Sequence, residues 1–296
     1  MAKFITQKQY YKQVAEKWNL RSDPSRPGRE DIQIYNKLVR KALGRRKNQK
    51  VVILGATPEI RDMLYSFYFT HNVKVICVDW LPEMYYGMSQ LINHRIPNEK
   101  FVRKNWLEMD FSKKSIDIFI GDWIVGNIPR REEKEKLFNL IRQQLKPTGY
   151  FIIRHAYITP RAKINDIKKH LYSLTWNVLN ENLTIKQAAT SFYVDLLLSS
   201  WFKDKENKVS LVYYSSELEK INSYFKKKNL SKHEIVAKLV FQHFLKLETK
   251  KFWVYYTKKE EGEILRKFFV IKETMFSKNH HHCSSNAPIY FLKPRK

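Results

Sequence analysis

The stretch VVILGATPEIR, Val51 to Arg61, limits what this chain can fold into more than any other. Val51 to Leu54 is an apolar run that breaks at Gly55. After Thr57-Pro58-Glu59 the apolar residues Ile60, Met63, Leu64 and Phe67 recur at helical spacing. A buried strand, a tight turn and a helix follow from that pattern. A second apolar run, Val73 to Val78, ends on Asp79, the position where a doubly wound sheet holds an acidic residue against a ribose. The pair of strands frames a site for a nucleotide-like ligand.

The alternation continues to Ala156. Pro82 to Leu91 reads as a helix, Lys100 to Lys104 as a short strand ending at Asn105-Trp106, and Ser115 to Ile120 as a fourth strand closed by Gly121-Asp122. Glu132 to Leu145 is a helix through Leu137, Leu140, Ile141 and Leu145, stopped by Lys146-Pro147-Thr148-Gly149, and Tyr150 to Arg154 is a fifth strand. Strands alternating with helices imply a parallel, Rossmann-like α/β sheet with right-handed crossovers.

The flanks read differently. Tyr10, Tyr11, Val14 and Trp18 mark an amphipathic helix, RSDPSRPG (Arg21 to Gly28) a loop, and Asp31 to Leu43 a second helix ended by Gly44. From Thr159 to Lys251 no further strand–helix unit occurs. Helical stretches are expected at 164–174, 185–202, 216–225 and 233–245, with Ser231 and Glu234 as a capping box. Lys251 to Thr257 is strand or extended linker, followed by a short helix to Lys267. Phe268 to Met275 and Pro288 to Leu292 are strand-like runs around a polar loop. The expected organisation is an N-terminal helical segment (1–50), a Rossmann-like cofactor-binding core (51–158), a helical insertion or lid (159–251) and terminal strands that complete the core sheet (252–296).

The turn after the first strand discriminates among nucleotide cofactors. A dinucleotide places its pyrophosphate on the helix N-terminus and calls for G-x-G-x-x-G. Here only Gly55 is present, Thr57 and Ile60 hold the other two positions, and Glu59 puts a negative charge in the first turn. S-adenosylmethionine carries no phosphate and is cationic at sulfur, so one glycine suffices and a nearby carboxylate is tolerated. The helix start is also well formed without any ligand, with Thr57 as a cap, Pro58 first in the helix and Glu59 favourable to its dipole.

VVILGATPEIR, VKVICVDWLPEM, FVRKNW, IDIFIGDWIVGNIP and LKPTGYFIIRHA resemble, in order and spacing, the successive motifs of class I S-adenosylmethionine-dependent methyltransferases. The resemblance covers about Val51 to Ala156, and the terminal strand pair is similar to that family's sixth and seventh strands. It implies a seven-stranded, mostly parallel sheet with S-adenosyl-L-methionine as cofactor. It also implies that Gly55, with Ala56 and Thr57, lies under the methionine part of the cofactor, that Asp79 accepts the ribose hydroxyls with Trp80 beside the adenine, and that Asn105 and Trp106 contact the adenine edge and face. By the same resemblance, Asp122 and its neighbours are expected to close the pocket near the methyl group. The turn departs from the family's D/E-x-G-x-G-x-G, and Asn105 stands where many members carry Asp.

Methyl transfer is an in-line displacement, so positioning supplies much of the acceleration. A base is needed only where the acceptor loses a proton early. Asp122, His155 and Tyr157, beyond the fourth and fifth strands, are the catalytic candidates. Asn127-Ile128-Pro129 is faintly similar to the Asn/Asp-Pro-Pro-aromatic motif of methyltransferases that act on amino groups of bases.

The 296-residue chain carries a net charge of +26, unevenly distributed. Residues 1–50 contribute +10, residues 51–158 only +3 and residues 159–296 +13. The core is nearly neutral. Basic flanks fit RNA by counterion release, whereas a helical lid rich in aromatics fits an enclosed small molecule, and the latter is slightly favoured as methyl acceptor. The competing reading keeps the fold as an RNA-binding or scaffold protein without turnover. A nicotinamide-dependent oxidoreductase is disfavoured by Glu59 and the missing glycines. His280-His281-His282-Cys283 reads as a polar loop and no metal is expected, since adjacent histidines on a turn cannot all face one ion. Two cysteines, Cys77 and Cys283, no run long enough to span a bilayer and no signal-peptide pattern point to a cytoplasmic protein without a membrane partner.

Overall fold

In the computed structural model, residues 16–128, 130–158, 163–203, 208–226, 229–247, 253–278 and 287–295 are described. The order begins α1 (Arg29–Leu43), β1 (Lys50–Leu54), α2 (Pro58–His71), β2 (Lys74–Asp79), α3 (Pro82–Ser89), β3 (Lys100–Arg103), β4 (Ile116–Asp122), α4 (Arg131–Gln144) and β5 (Leu145–Arg154). It continues α5 (Ile167–Leu179), α6 (Ile185–Ser199), β6 (Lys208–Val209), α7 (Ser215–Tyr224), α8 (Lys232–Leu247), β7 (Trp253–Val254), α9 (Lys258–Phe268), β8 (Phe269–Met275) and β9 (Ile289–Pro294).

Seven strands form one sheet in the order β3-β2-β1-β4-β5-β9-β8. Pairings from β3 across to β5 are parallel, and β9 lies antiparallel to both its neighbours. The expected Rossmann-like, seven-stranded, mostly parallel α/β sheet is therefore observed. Its continuous apolar strands follow from burial on both faces. Val51 and Ile53 of β1 pack with Tyr35 and Leu38 of α1 and Ile60 and Leu64 of α2, while Val52 and Leu54 pack with Leu137 and Ile141 of α4 and Ile264 of α9.

Two strand ends differ from the sequence expectation. β4 runs on through Gly121 and Asp122 because Gly121 pairs with Leu54 and Asp122 with Arg154. β5 starts at Leu145, paired with Ile116 across an irregularity in the ladder, so Lys146 to Gly149 belong to the strand. Register thus brings Leu54, Asp79, Asp122 and Arg154 to one edge of the sheet, where the strands end.

A third apolar cluster lies beyond that edge. It joins Leu171 and Leu174 of α5, Phe192 of α6 and Phe241 and Phe244 of α8 to Ala56, Leu81 and Met84 on the sheet's rim. The capping box expected at Ser231 and Glu234 is present at the start of α8. Among the described residues β6 and β7 pair only with each other, and two-residue strands have no periodicity for a sequence to display. Among the described residues, no helix is long and apolar enough to cross a membrane. Tyr10, Tyr11 and His280 to Cys283 lie outside the described residues.

Candidate functional site

A cavity of about 390 Å³ opens at the edge where β1, β2 and β4 end. Gly55, Ala56, Thr57, Asp79, Trp80, Asn105, Trp106 and Asp122 all line it. The parallel register places them there. The N–H of Gly55 donates to Val78 O at 2.9 Å, and the indole N–H of Trp106 donates to the same carbonyl at 2.8 Å. Gly55 has φ +97°, a region an L side chain enters at a cost of about 1–2 kcal/mol. A methyl group at Gly55 would stand 3.8 Å from Trp106, an ordinary contact, so backbone strain is what makes this position glycine. We expect Gly55→Ala to lower stability by about 1–2 kcal/mol in urea denaturation. An unchanged midpoint would show that the turn relaxes.

Thr57 makes no capping hydrogen bond with its side chain. Its side chain lines the cavity instead. Pro58 occupies the first helical position and has no N–H, which removes one of the donors an anion at a helix N-terminus would use. Glu59, read from the sequence as a charge that repels phosphate, is neutralised by an ion pair with Arg26 and accepts the Trp18 indole N–H at 3.2 Å. The turn's poor fit to a pyrophosphate therefore rests on its missing glycines and on Pro58.

Asp79 is 6% exposed, and its Oδ1 accepts the N–H of Leu81 at 3.0 Å. Burial pushes its carboxyl up to about 6, partly opposed by the N–H groups of Leu81 and Trp80. No cation among the described residues pairs with it. A desolvated carboxylate facing a cavity is suited to accept hydroxyl donors from a ligand. Beside it, Trp80 is half-exposed. Asn105 Oδ1, an oxygen the resemblance directs to an adenine amino group, accepts the N–H of Leu107 at 3.0 Å, and its second lone pair is available to a ligand.

Asp122 is locked in a buried network. Arg154 donates to both its oxygens, from Nε at 2.7 Å and Nη2 at 3.0 Å, and from Nη1 to Asp31 at 2.7 Å. Tyr35 Oη lies 3.1 Å from Asp122 Oδ1 and accepts the Arg154 N–H at 3.1 Å. Burial lowers the Arg154 guanidinium, but Asp122 and Asp31 more than offset it and hold it above its ordinary value. Asp31 also accepts the Gly28 N–H at 2.9 Å, which ties the start of α1 to the ends of β4 and β5.

The other two catalytic candidates lie away from the cavity lining. His155 is buried, with Nε2 3.3 Å from Glu261 Oε2 of α9. Tyr157 is buried, and Lys258 Nζ stands 5.9 Å from its ring centroid.

The remaining walls were not read from the sequence as site residues. Trp123 holds a left-handed backbone (φ +51°), and its buried indole N–H has no partner among the described residues. Its ring meets Tyr255 edge-on at 6.2 Å. Gly126 makes room for Tyr255, since a Cβ there would approach that ring to 2.7 Å. Trp18 and Arg21 from the N-terminal segment, Tyr193 and Leu197 from α6, and Trp253 from β7 close the cavity. Arg154, which holds Asp122 from behind the lining, carried a signal in the sequence as a charged end to the apolar run FIIR. Among the described residues no group of three or more His, Cys, Asp or Glu side chains is placed to hold a metal.

No family model matches the chain, and no curated protein matches it. Solved structures do. A Rhodobacter sphaeroides protein provisionally named a Zn-dependent alcohol dehydrogenase aligns with TM-score 0.56 and 11% identity over 98% of this chain and 100% of that one. The PH0226 protein of Pyrococcus horikoshii OT3 aligns with TM-score 0.50 and 15% identity over 97% and 99%. A SAM-dependent methyltransferase of Methanosarcina mazei aligns with TM-score 0.49 and 11% identity over 88% and 96%. At such identities the likeness is one of fold: the chain has a Rossmann-like sheet of seven mostly parallel strands, the fold implied by its resemblance to class I S-adenosylmethionine-dependent methyltransferases.

Proposed function

We propose that the chain is an S-adenosylmethionine-dependent methyltransferase whose cofactor lies across the ends of β2, β1 and β4. The observation that supports this best is Asp79, a buried carboxylate without a cation, beside a positive-φ glycine turn and the rings of Trp80 and Trp106 in one cavity. That set suits an adenosine with free ribose hydroxyls. The turn supplies little for a pyrophosphate, which argues against NAD. Residues 51–158 then act as the cofactor-binding core, and residues 159–251 with the N-terminal segment as its cover.

The acceptor is a small molecule rather than RNA in this reading, because α6, β7 and the N-terminal segment wall the cavity. Asp122 is the one catalytic candidate that reaches the site, and both its oxygens are engaged by Arg154. Asp122 therefore acts as a fixed wall of the pocket. Rate enhancement then comes from alignment and exclusion of water, with an acceptor atom that needs no early loss of a proton. When bound, the cofactor supplies the electrophilic methyl group.

Calorimetric titration with S-adenosylmethionine, S-adenosylhomocysteine and NAD tests this reading. Saturable binding of the two sulfur ligands without NAD is expected; NAD binding without either would overturn it. Incubation of cell extract with radiolabelled cofactor should then place label in the small-molecule fraction, and label in RNA would overturn the acceptor class.

A further inference from the structure

The cavity lining contains three carboxylates, Asp79, Asp122 and Glu133, and, among the described residues, one cation, Arg21. Arg21 lies in the segment that leads into α1, and that segment is held on several sides. The Trp18 indole donates to Glu59 at the start of α2, and Arg26 pairs with the same carboxylate. Ser22 N donates to Thr190 Oγ1 of α6 at 3.3 Å, and His243 Nε2 of α8 lies 2.8 Å from Leu20 O. At its far end, Gly28 is tied through Asp31 to Arg154. These anchors hold Arg21 at 4% exposure, its guanidinium 5.3 Å from the Tyr193 ring centroid.

S-adenosylmethionine ends in an α-amino acid whose carboxylate must meet a cation once it leaves water. With the ribose at Asp79 on β2 and the adenine toward β3, that tail points across β1 toward β4. The anchors at Glu59 and Arg154 bring the segment to the same side. Resting on the cofactor reading above, we infer that Arg21 binds the cofactor's α-carboxylate and so supplies the contact that the single-glycine turn does not. A planar guanidinium on an aromatic ring is suited to it, because its N–H fork matches a carboxylate and stacking fixes its orientation.

The test is a cycle of ligand and side chain, read by calorimetry. The ligands are S-adenosylhomocysteine and S-adenosyl-3-thiopropylamine, which differ only by the carboxylate, with 5′-methylthioadenosine as a tail-free control. Wild type should prefer S-adenosylhomocysteine over the decarboxylated ligand by roughly 10- to 100-fold, the range for a hydrogen bond to a charged group. Arg21→Met should abolish that preference and leave 5′-methylthioadenosine affinity within about threefold, while Arg21→Lys should retain part of the preference. Equal wild-type affinity for the two tailed ligands, or an undiminished preference in a variant that still binds 5′-methylthioadenosine, would overturn the inference while leaving the cofactor reading in place. Failure of wild type to bind any of the three would overturn both.

Discussion

Asp79→Ala is expected to weaken S-adenosylhomocysteine binding by at least about 100-fold, because two ribose hydroxyls would lose a desolvated carboxylate acceptor worth about 1.5–3 kcal/mol for each bond. The pH dependence should identify the group responsible. The carboxyl of Asp79 sits at about 6 in the folded protein because burial disfavours its charge. Hydroxyl donors favour the ionised form, so affinity should be flat above about pH 7 and fall up to about tenfold per unit as pH drops below 6. Asp79→Asn should bind weakly with no such slope. Stability moves the opposite way. A carboxyl raised in the folded state binds more protons folded than unfolded, so its contribution to stability is present at low pH and lost as pH rises from the unfolded value through about 6. Asp79→Asn should therefore stabilise the ligand-free protein at neutral pH, by at most about 3 kcal/mol, while it loses the ligand. A pH-independent affinity in wild type would remove Asp79 from the site.

The largest expected loss of stability follows Arg154→Met. The guanidinium is fully buried between Asp31 and Asp122, and its removal leaves two buried carboxylates uncompensated. Breaking a buried ion pair from one side costs about 3–5 kcal/mol. Urea midpoints should show that loss, and adding Asp31→Asn and Asp122→Asn should restore part of it. The variant should also gain stability as pH falls, since unpaired buried carboxylates have raised pKa values and take up protons on folding. A variant as stable as wild type at neutral pH would mean that water or another donor replaces the guanidinium.

How far the sequence could be read follows from where its information sits. β1, α2 and β2 are local patterns, and burial on both faces makes their strands continuous apolar runs, so Gly55 and Asp79 could be placed from spacing alone. The roof could not. Trp18 meets Glu59 across the β1–α2 turn, Ser22 meets Thr190, and Tyr255 fits against Gly126, all pairings distant in sequence with no periodicity to announce them. The same limit applies to Asp122, which looks like a base at a strand end until Arg154, a full strand and helix later, occupies both its oxygens. His155 and Tyr157 follow β5 directly, but burial against α9 and beside Lys258 sets them apart from the cavity. Glu59 was visible as a charge, while the Arg26 that neutralises it was visible only as part of a loop.

The position of β9 has a further effect, on the order of assembly. β9 starts at Ile289 yet sits inside the sheet, between β5, which ends at Arg154, and β8. During synthesis the whole helical layer emerges between the two. Until Ile289 arrives, Phe151 to Arg154 present an open strand edge, apolar from Phe151 to Ile153. Such an edge pairs readily with other chains. In the interval before β8 and β9 form, nascent chains are therefore expected to be prone to aggregate, and the helices that later cover the cavity are what the ribosome makes during that interval.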